Sequence, residues 1–217
     1  MPAPDFNSVA AFYDPLARFV FGRTLLRAQQ AVLLAGLPPA AARVLFIGGG
    51  TGRVLPEVLR RCPGAQVLYV EASAEMLRRA RRHLRRELPE AAARVTFVHG
   101  TEADLPPSPP CDALLAFFLF DLFPAPELAA LLKRLHPHTH PGTRWLLADF
   151  APPRRRWQRG LHALMYRFFG LASGVAARQL PDVATALHRL GLQRRWQQLW
   201  VDGLVEAAVW SEQPLDH

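Results

Sequence analysis

The sequence predicts a doubly wound α/β fold, in which a mostly parallel, seven-stranded sheet ends in an antiparallel hairpin. From about residue 43, five short apolar runs alternate with helical patterns, as in parallel strands joined by crossover helices. The run LLAFFLF (114–120) is apolar on both faces, which is typical of a strand covered by helices on each side. An Asp-Gly pair at 202–203 separates the last two strand-like runs and indicates a hairpin turn.

The elements follow one another in a regular order. The predicted strands are 43–47, 66–71, 94–99, 112–117, 143–149, 194–200 and 204–210, and the predicted helices are 14–36, 54–61, 74–87, 127–135, 154–171 and 181–190. Turn-forming pairs such as Pro63-Gly64 and Pro141-Gly142 precede several of the strands. We expect a single domain over 1–217, with a helical cap at 1–40 and a helical insertion at 150–190 that covers the substrate.

Composition excludes several classes of protein. Half of the 217 residues are hydrophobic and a tenth are aromatic, which excludes a disordered or collagen-like chain. Cys62 and Cys111 are too few for a disulfide scaffold, so a reducing compartment is expected. No signal-peptide pattern is present, and no apolar run approaches the ~20 residues that span a bilayer. We therefore expect a cytoplasmic protein without a membrane span.

The net charge of +8 is compatible with binding to nucleic acid or to an anionic membrane surface. Only Lys133 among the 26 basic residues is a lysine, however, and this skew indicates coding bias rather than a selected phosphate-binding surface. A small-molecule substrate is the favoured partner, and nucleic acid is the less favoured one. The sequence does not indicate an oligomeric state.

The first predicted strand runs into a glycine-rich turn, residues 48–52, that precedes a helix. Glycines are required where the chain reverses sharply or a ligand approaches the backbone, and a helix N-terminus offers free N–H groups to an anion. Glu71 ends the second strand 21 residues beyond Gly50, where an acid can accept hydrogen bonds from ribose hydroxyls. Together they predict a site for a nucleoside-containing cofactor.

Dinucleotide-binding folds have a third glycine where this chain has Arg53, so their Gly-x-Gly-x-x-Gly pattern is not met. The chain instead resembles the class I S-adenosylmethionine-dependent methyltransferases over residues 6–210. Five segments carry the resemblance in order: 44–52, VLYVEASAEML (67–77), VTFVHGTEADLP (95–106), CDALLAFFLFDLFP (111–124) and HPGTRWLLADF (140–150). The opening FNSVAAFYDPLARFVFG (6–22) is similar to that of quinone-biosynthesis-type methyltransferases.

The resemblance implies S-adenosylmethionine as the cofactor, with Glu71 on the ribose, Met76 on the adenine and Tyr13 covering the molecule. The implied contact residues are Tyr13, Gly48, Gly49, Gly50, Gly52, Glu71, Ala72, Met76, Thr101, Glu102 and Phe117. Two positions depart from the family pattern, because acids are usual where Phe46 and Thr101 stand. We expect Thr101 or Glu102 to contact the adenine amino group, and the contact missing at Phe46 to come from elsewhere.

Methyl transfer requires in-line alignment and exclusion of water, and an acceptor of high pKa also benefits from a general base. Asp121 and Asp149, at the ends of the fourth and fifth strands, are the candidate bases, although a structural carboxylate is the competing interpretation for each. Phe118, Phe150 and Tyr166 are candidates to contact an apolar or aromatic acceptor, methylated at oxygen or carbon. No metal is expected, because the histidines at 136, 138 and 140 lack a further ligand cluster.

Three alternatives remain open at this point. Arginines crowd the helix at 74–87, and Arg154-Arg155-Arg156-Trp157 joins charge to an aromatic ring, so methylation of RNA is one alternative. A nicotinamide-dependent oxidoreductase is the second, and the residue at position 53 argues against it. A non-catalytic S-adenosylmethionine-binding protein is the third, because of Phe46 and Thr101.

Overall fold

A seven-stranded sheet forms the centre of the computed structural model, which describes residues 23–153, 155, 157–158, 160 and 180–215. The strands are β1 (Arg43–Ile47), β2 (Gln66–Glu71), β3 (Val95–His99), β4 (Cys111–Phe117), β5 (Thr139–Phe150), β6 (Gln193–Trp200) and β7 (Val205–Ser211). They lie in the order β3-β2-β1-β4-β5-β7-β6. Only β7 runs against its neighbours, β5 and β6. The predicted doubly wound sheet and terminal hairpin are confirmed.

Helices cover both faces of the sheet. They are α1 (Thr24–Gly36), α2 (Leu55–Arg61), α3 (Ala74–Glu87), α4 (Ala125–Leu135) and α5 (Val183–His188). The first three share one hydrophobic core with the sheet, and α4 and α5 belong to a second core on the opposite face. No helix in the described part of the chain is both long and apolar enough to cross a membrane.

The predicted N-terminal cap is described only from residue 23 onward. Its described helix, α1, packs on the face of β5 and β7. A Cβ added to Gly36 would lie 2.4 Å from Cγ2 of Val209, so this glycine lets the helix approach the sheet closely. The described half of the cap is therefore part of the helical layer over the sheet.

Strand β5 begins at Thr139, four residues earlier than predicted. Pro141 and Gly142 indicate a turn in the sequence, but His140 N–H donates to the Thr143 hydroxyl at 2.9 Å, and that hydroxyl donates to the Cys111 carbonyl. These side-chain bonds and a register shift after Cys111 keep the segment in the sheet. The carboxyl ends of β1, β2, β4 and β5, where the site lies, are as predicted or within one residue.

Candidate cofactor and acceptor site

The glycine turn after β1 has one side packed on the protein and one side open. Gly48, Gly50 and Gly52 have φ angles of 61°, 62° and 71°, in the region that only glycine adopts readily. A Cβ on Gly49 would lie 2.2 Å from Cζ of Tyr69, and one on Gly52 would lie 2.8 Å from Cβ of Ala80. A Cβ on Gly50 would meet no atom of the described residues within 4 Å. The open side at Gly50 is where a ligand can approach the backbone.

Glu71, at the end of β2, holds this turn. Its Oε2 accepts the Gly50 N–H and its Oε1 accepts the Ser73 N–H, both at 2.8 Å. Burial raises the pKa of Glu71, and the two N–H donors oppose that shift. Each carboxylate oxygen can accept more than one hydrogen bond, so the side chain keeps capacity for ribose hydroxyls.

Tyr69 is a site residue that the sequence analysis missed. Its hydroxyl donates to the Gly50 carbonyl at 3.0 Å, and the side chain is completely buried. Because Tyr69 and Glu71 are two residues apart on β2, they point to the same face and hold the carbonyl and the N–H of Gly50 respectively. The signal available in the sequence was a tyrosine two positions before the acid, within an otherwise aliphatic strand.

Phe46 stands where the family usually has an acid, and it is part of an aromatic cluster. Its ring packs edge-on against Tyr69, with centroids 5.1 Å apart, and against Phe117 at 5.3 Å. Beneath the glycine turn, β1 therefore supplies an aromatic ring that packs beside Tyr69 of β2, and the source of the contact expected in place of an acid at position 46 remains a prediction. Phe117 lies in this buried cluster, and its predicted contact with the cofactor remains a prediction.

The start of α3 lies directly beside Glu71. Ser73 caps the helix by accepting the Met76 N–H at 3.3 Å, and Met76 and Ala72 are partly exposed there. His99 pairs in register with Glu71 and places Nε2 3.0 Å from the Ala72 carbonyl. This hydrogen bond gives His99 a structural role. The predicted contact of Met76 with the adenine remains a prediction.

The polar groups proposed for the adenine already have partners. The Thr101 hydroxyl accepts the Ala103 N–H at 3.3 Å, and Glu102 forms an ion pair with Arg134 at 2.6 Å. Asp104 folds back so that its Oδ2 accepts the Thr101 N–H at 2.8 Å. The structure thus adds an acid that sequence analysis did not single out, three residues beyond the position where the family usually has one.

At the carboxyl ends of β4 and β5, the structure brings the remaining candidates together. The rings of Phe118 and Phe150 lie 5.4 Å apart. Leu119 N–H donates to Oδ1 of Asp149 at 2.9 Å, and the Asp121 carboxyl lies close enough for its charge to act on Asp149. Burial raises the pKa of Asp121 to about 7, and burial together with the nearby Asp121 charge raises that of Asp149 well above its ordinary value.

Two predicted residues, Tyr13 and Tyr166, lie outside the described part of the chain. Across the ranges that the structure does describe, no group of three or more His, Cys, Asp or Glu side chains could hold a metal ion. Two of the three loop histidines have acidic neighbours: His140 lies 3.4 Å from Asp112, and His136 lies 3.9 Å from Glu212.

Comparison with known proteins agrees with this geometry. The family model described as a methyltransferase domain matches residues 44–142. A demethylmenaquinone methyltransferase of Thermus thermophilus is 34% identical over 197 residues, which cover 83% of each chain. A ubiquinone/menaquinone biosynthesis C-methyltransferase of Syntrophotalea carbinolica is 33% identical over 87% of this chain and 80% of the relative. A trans-aconitate 2-methyltransferase of an Azoarcus strain is 33% identical over 77% of this chain and 63% of the relative.

Solved structures show the same fold. The magnesium protoporphyrin IX methyltransferase of Synechocystis, solved with bound S-adenosylhomocysteine, superposes with a TM-score of 0.69 at 18% identity and 96% coverage of both chains. The mitomycin 7-O-methyltransferase MmcR gives a TM-score of 0.67 at 21% identity, over 94% of this chain and 60% of that one. The long matches to the quinone-type relatives, together with the shared fold, show that this chain is an enzyme belonging to the class I S-adenosylmethionine-dependent methyltransferases.

Proposed function

We propose that this methyltransferase transfers the methyl group to a small apolar or aromatic acceptor, at oxygen or carbon, bound at the carboxyl ends of β4 and β5. The observation that carries this proposal is the 34% identity to a demethylmenaquinone methyltransferase over 83% of both chains. The aromatic side chains Phe118 and Phe150 support it, because their paired rings suit an apolar acceptor better than a highly charged one.

The residues around the glycine turn fit S-adenosylmethionine. Gly50 leaves open space over the backbone, and Glu71, only 7% exposed, lies where it can accept hydrogen bonds from the ribose. We place Ala72 and Met76 beside the adenine and Asp104 near its amino group, with Gly48, Gly49 and Gly52 shaping the turn. When bound, the cofactor supplies a methyl group on a positively charged sulfonium sulfur.

The protein contributes to the reaction by aligning the acceptor with the methyl group and by excluding water. Transfer breaks the bond between the methyl carbon and sulfur, forms a bond from the acceptor to that carbon, and ends with loss of a proton from the acceptor. The turn after β4 and the end of β5 hold the acceptor in line, and their buried aromatic rings exclude water.

The test is a methyl-transfer assay with labelled S-adenosylmethionine and two acceptors, reduced demethylmenaquinone and trans-aconitate. We expect label in the quinol product and none in trans-aconitate. Glu71→Ala should abolish transfer because the cofactor is no longer held, whereas Glu90→Ala, outside the proposed site, should leave the rate unchanged. Label in trans-aconitate alone would overturn the proposed acceptor class.

RNA is a second candidate acceptor, favoured by one surface. Arg78, Arg81, Arg82 and Arg85 follow one face of α3 and, with Glu75, line a cleft of about 400 Å³. Glu75 forms ion pairs with Arg78 at 2.7 Å and Arg79 at 2.9 Å, so part of the positive charge is neutralised within the helix. RNA should therefore be included as a third acceptor, and salt-sensitive methylation of it would favour this candidate.

A further inference from the structure

Two buried acids, Asp121 and Asp149, lie side by side at the acceptor end of the site. Their exposed fractions are 6% and 8%. The charged side chain opposite Asp149 on β7 is Glu206, which forms its own ion pair with Arg194 of β6 at 3.1 Å. Within the described ranges, no arginine, lysine or histidine forms an ion pair with either aspartate. Two ionised carboxylates in this setting would repel each other strongly.

One carboxyl oxygen of each aspartate has no N–H or hydroxyl hydrogen-bond donor among the described residues. Oδ1 of Asp121 and Oδ2 of Asp149 are buried and accept no hydrogen bond from any N–H or hydroxyl group in the described residues. The two carboxyl groups nevertheless lie close enough to interact, and a hydrogen bond between them requires a proton on at least one of them. A single proton between these two oxygens satisfies both atoms and removes one of the two charges.

The pair is attached to the turn at 118–122, which contacts the glycine turn at 48–52, the proposed cofactor loop. Asp149 accepts the Leu119 N–H at 2.9 Å, and the neighbouring Phe118 N–H donates to the Ala148 carbonyl at 2.6 Å. Phe118 has a φ of 53°, a strained conformation for an aromatic residue that persists only when its surroundings hold it. The Leu119 side chain lies 2.8 Å from where a Cβ on Gly48 would stand, so the turn is packed directly on the glycine loop.

We propose that Asp121 and Asp149 share a proton and act as positioning residues, which hold the 118–122 turn on β5 and thereby place Leu119 against the cofactor loop. This inference rests on the proposed binding of the cofactor at that loop. It replaces the role of general base predicted for both residues from the sequence, because their oxygens are engaged with each other and with the backbone of the turn.

The test compares two substitutions of Asp149 that differ in hydrogen bonding. Asp149→Asn keeps an oxygen for the Leu119 N–H and provides an N–H for Asp121, so it reproduces the protonated acid. Asp149→Leu has similar bulk and provides neither. We expect the dissociation constant for S-adenosylhomocysteine, measured by calorimetry, to stay within about threefold of wild type for the first variant and to rise about tenfold or more for the second. Glu206→Gln is the matched control on the same sheet face and should change nothing.

The pH dependence has a definite sign. The wild-type protein should bind S-adenosylhomocysteine well while the pair holds a proton and lose affinity as the pH rises far enough for the last proton to leave, so that two carboxylates face each other. Asp149→Asn should show no such loss. A general base would behave in the opposite way: activity would rise as the acid ionises, and Asp149→Asn would abolish methyl transfer while cofactor affinity stayed intact. That pattern would overturn the proposal.

A spectroscopic measurement tests the pair independently of the cofactor. The infrared spectrum at neutral pH should contain a protonated-carboxyl band that is missing when Asp121→Asn and Asp149→Asn are combined, and absence of this difference would also overturn the shared proton. If the band is present but the protein binds no S-adenosylhomocysteine, the cofactor placement fails while the pair stands. If Asp149→Leu does not fold, Asp121→Leu, which removes only the partner of the proton, provides the same comparison.

Discussion

At the scale of single residues, β2 controls the cofactor loop through two side chains. Glu71 binds the N–H of Gly50 and Tyr69 binds its carbonyl, so the peptide groups on both sides of Gly50 are oriented before any ligand arrives. Such preorganisation lowers the cost of ordering the loop on binding. The Phe46 ring packs against Tyr69 beneath the turn.

Tyr69→Phe tests this role, because it removes the hydroxyl and keeps the ring packed on Phe46. We expect a loss of about 0.5–1.5 kcal/mol in the free energy of unfolding, since the Gly50 carbonyl loses its donor. Affinity for S-adenosylhomocysteine should fall about five- to tenfold. Thermal unfolding and calorimetry measure the two effects, and unchanged affinity would contradict a role in the loop.

Asp121 makes folding stability depend on pH. In the folded protein the pKa of Asp121 is about 7, above the ordinary 3.8. Between pH 3.8 and pH 7, the folded chain therefore keeps a proton on this side chain, whereas the unfolded chain has lost it. The contribution of Asp121 to the free energy of unfolding is fully present below about pH 4 and is lost as the pH rises to about 7. Asp121→Asn removes the dependence, so its stability relative to wild type should rise over this interval by up to about 4 kcal/mol. Urea unfolding of both proteins at several pH values checks this, and parallel profiles would contradict it.

At the scale of elements, the glycine turn and the turn after β4 form one unit. Leu119 packs on Gly48, while Tyr69 and Ala80 fill the space below Gly49 and Gly52. Among the described residues around this turn, the side at Gly50 is the one left open toward a ligand. The glycines therefore have different roles. Gly49 and Gly52 avoid a steric clash with the protein, and Gly50 leaves room for the cofactor.

Gly50→Ala separates folding from binding. The added methyl meets no protein atom within 4 Å, so only the φ of 62° strains the fold, at about 1 kcal/mol. The same methyl would occupy the open space, and we expect cofactor affinity to fall at least tenfold. Gly64→Ala also has nothing within 4 Å of the added atom and lies away from the site, so it should alter neither quantity. Equal affinities for the two variants would show that the cofactor does not approach Gly50.

Several elements were predictable because their signals are local. The bounds of β1, β2 and α3 agree with the alternation of apolar runs and with the Ser73 cap. The early start of β5 was not predictable, because Pro141 and Gly142 are ordinary turn residues and the bonds that retain them in the sheet involve Thr143 and the distant Cys111. Local propensity gives way there to tertiary hydrogen bonds.

At the scale of the whole molecule, helix α1 ties the region before β1 to the final hairpin. It packs on β5, β6 and β7, and Gly36 approaches Val209 so closely that no side chain fits between them. The first and last described elements are therefore held together on one face of the sheet, away from the carboxyl ends of β1 and β2.

Gly36→Ala should destabilise the fold by about 1–3 kcal/mol, because the stiff Val209 side chain must move or α1 must shift. Val209→Ala in the same chain should recover part of this loss, which a double-mutant cycle measured by thermal unfolding will show. Cofactor affinity should remain unchanged in the folded variants. Additive effects of the two substitutions would contradict a direct contact.

The sequence by itself determined the doubly wound α/β fold with its terminal hairpin, the glycine turn, Glu71 and a nucleoside-containing cofactor, because each depends on residues close in the chain or at fixed spacing from a strand end. The tertiary structure alone decided that Tyr69 reaches the Gly50 carbonyl and that Asp121 meets Asp149, 28 residues away. Such contacts arise from the packing of neighbouring strand ends, and burial then changes the chemistry of a carboxyl group in a way that its position in the sequence does not reveal.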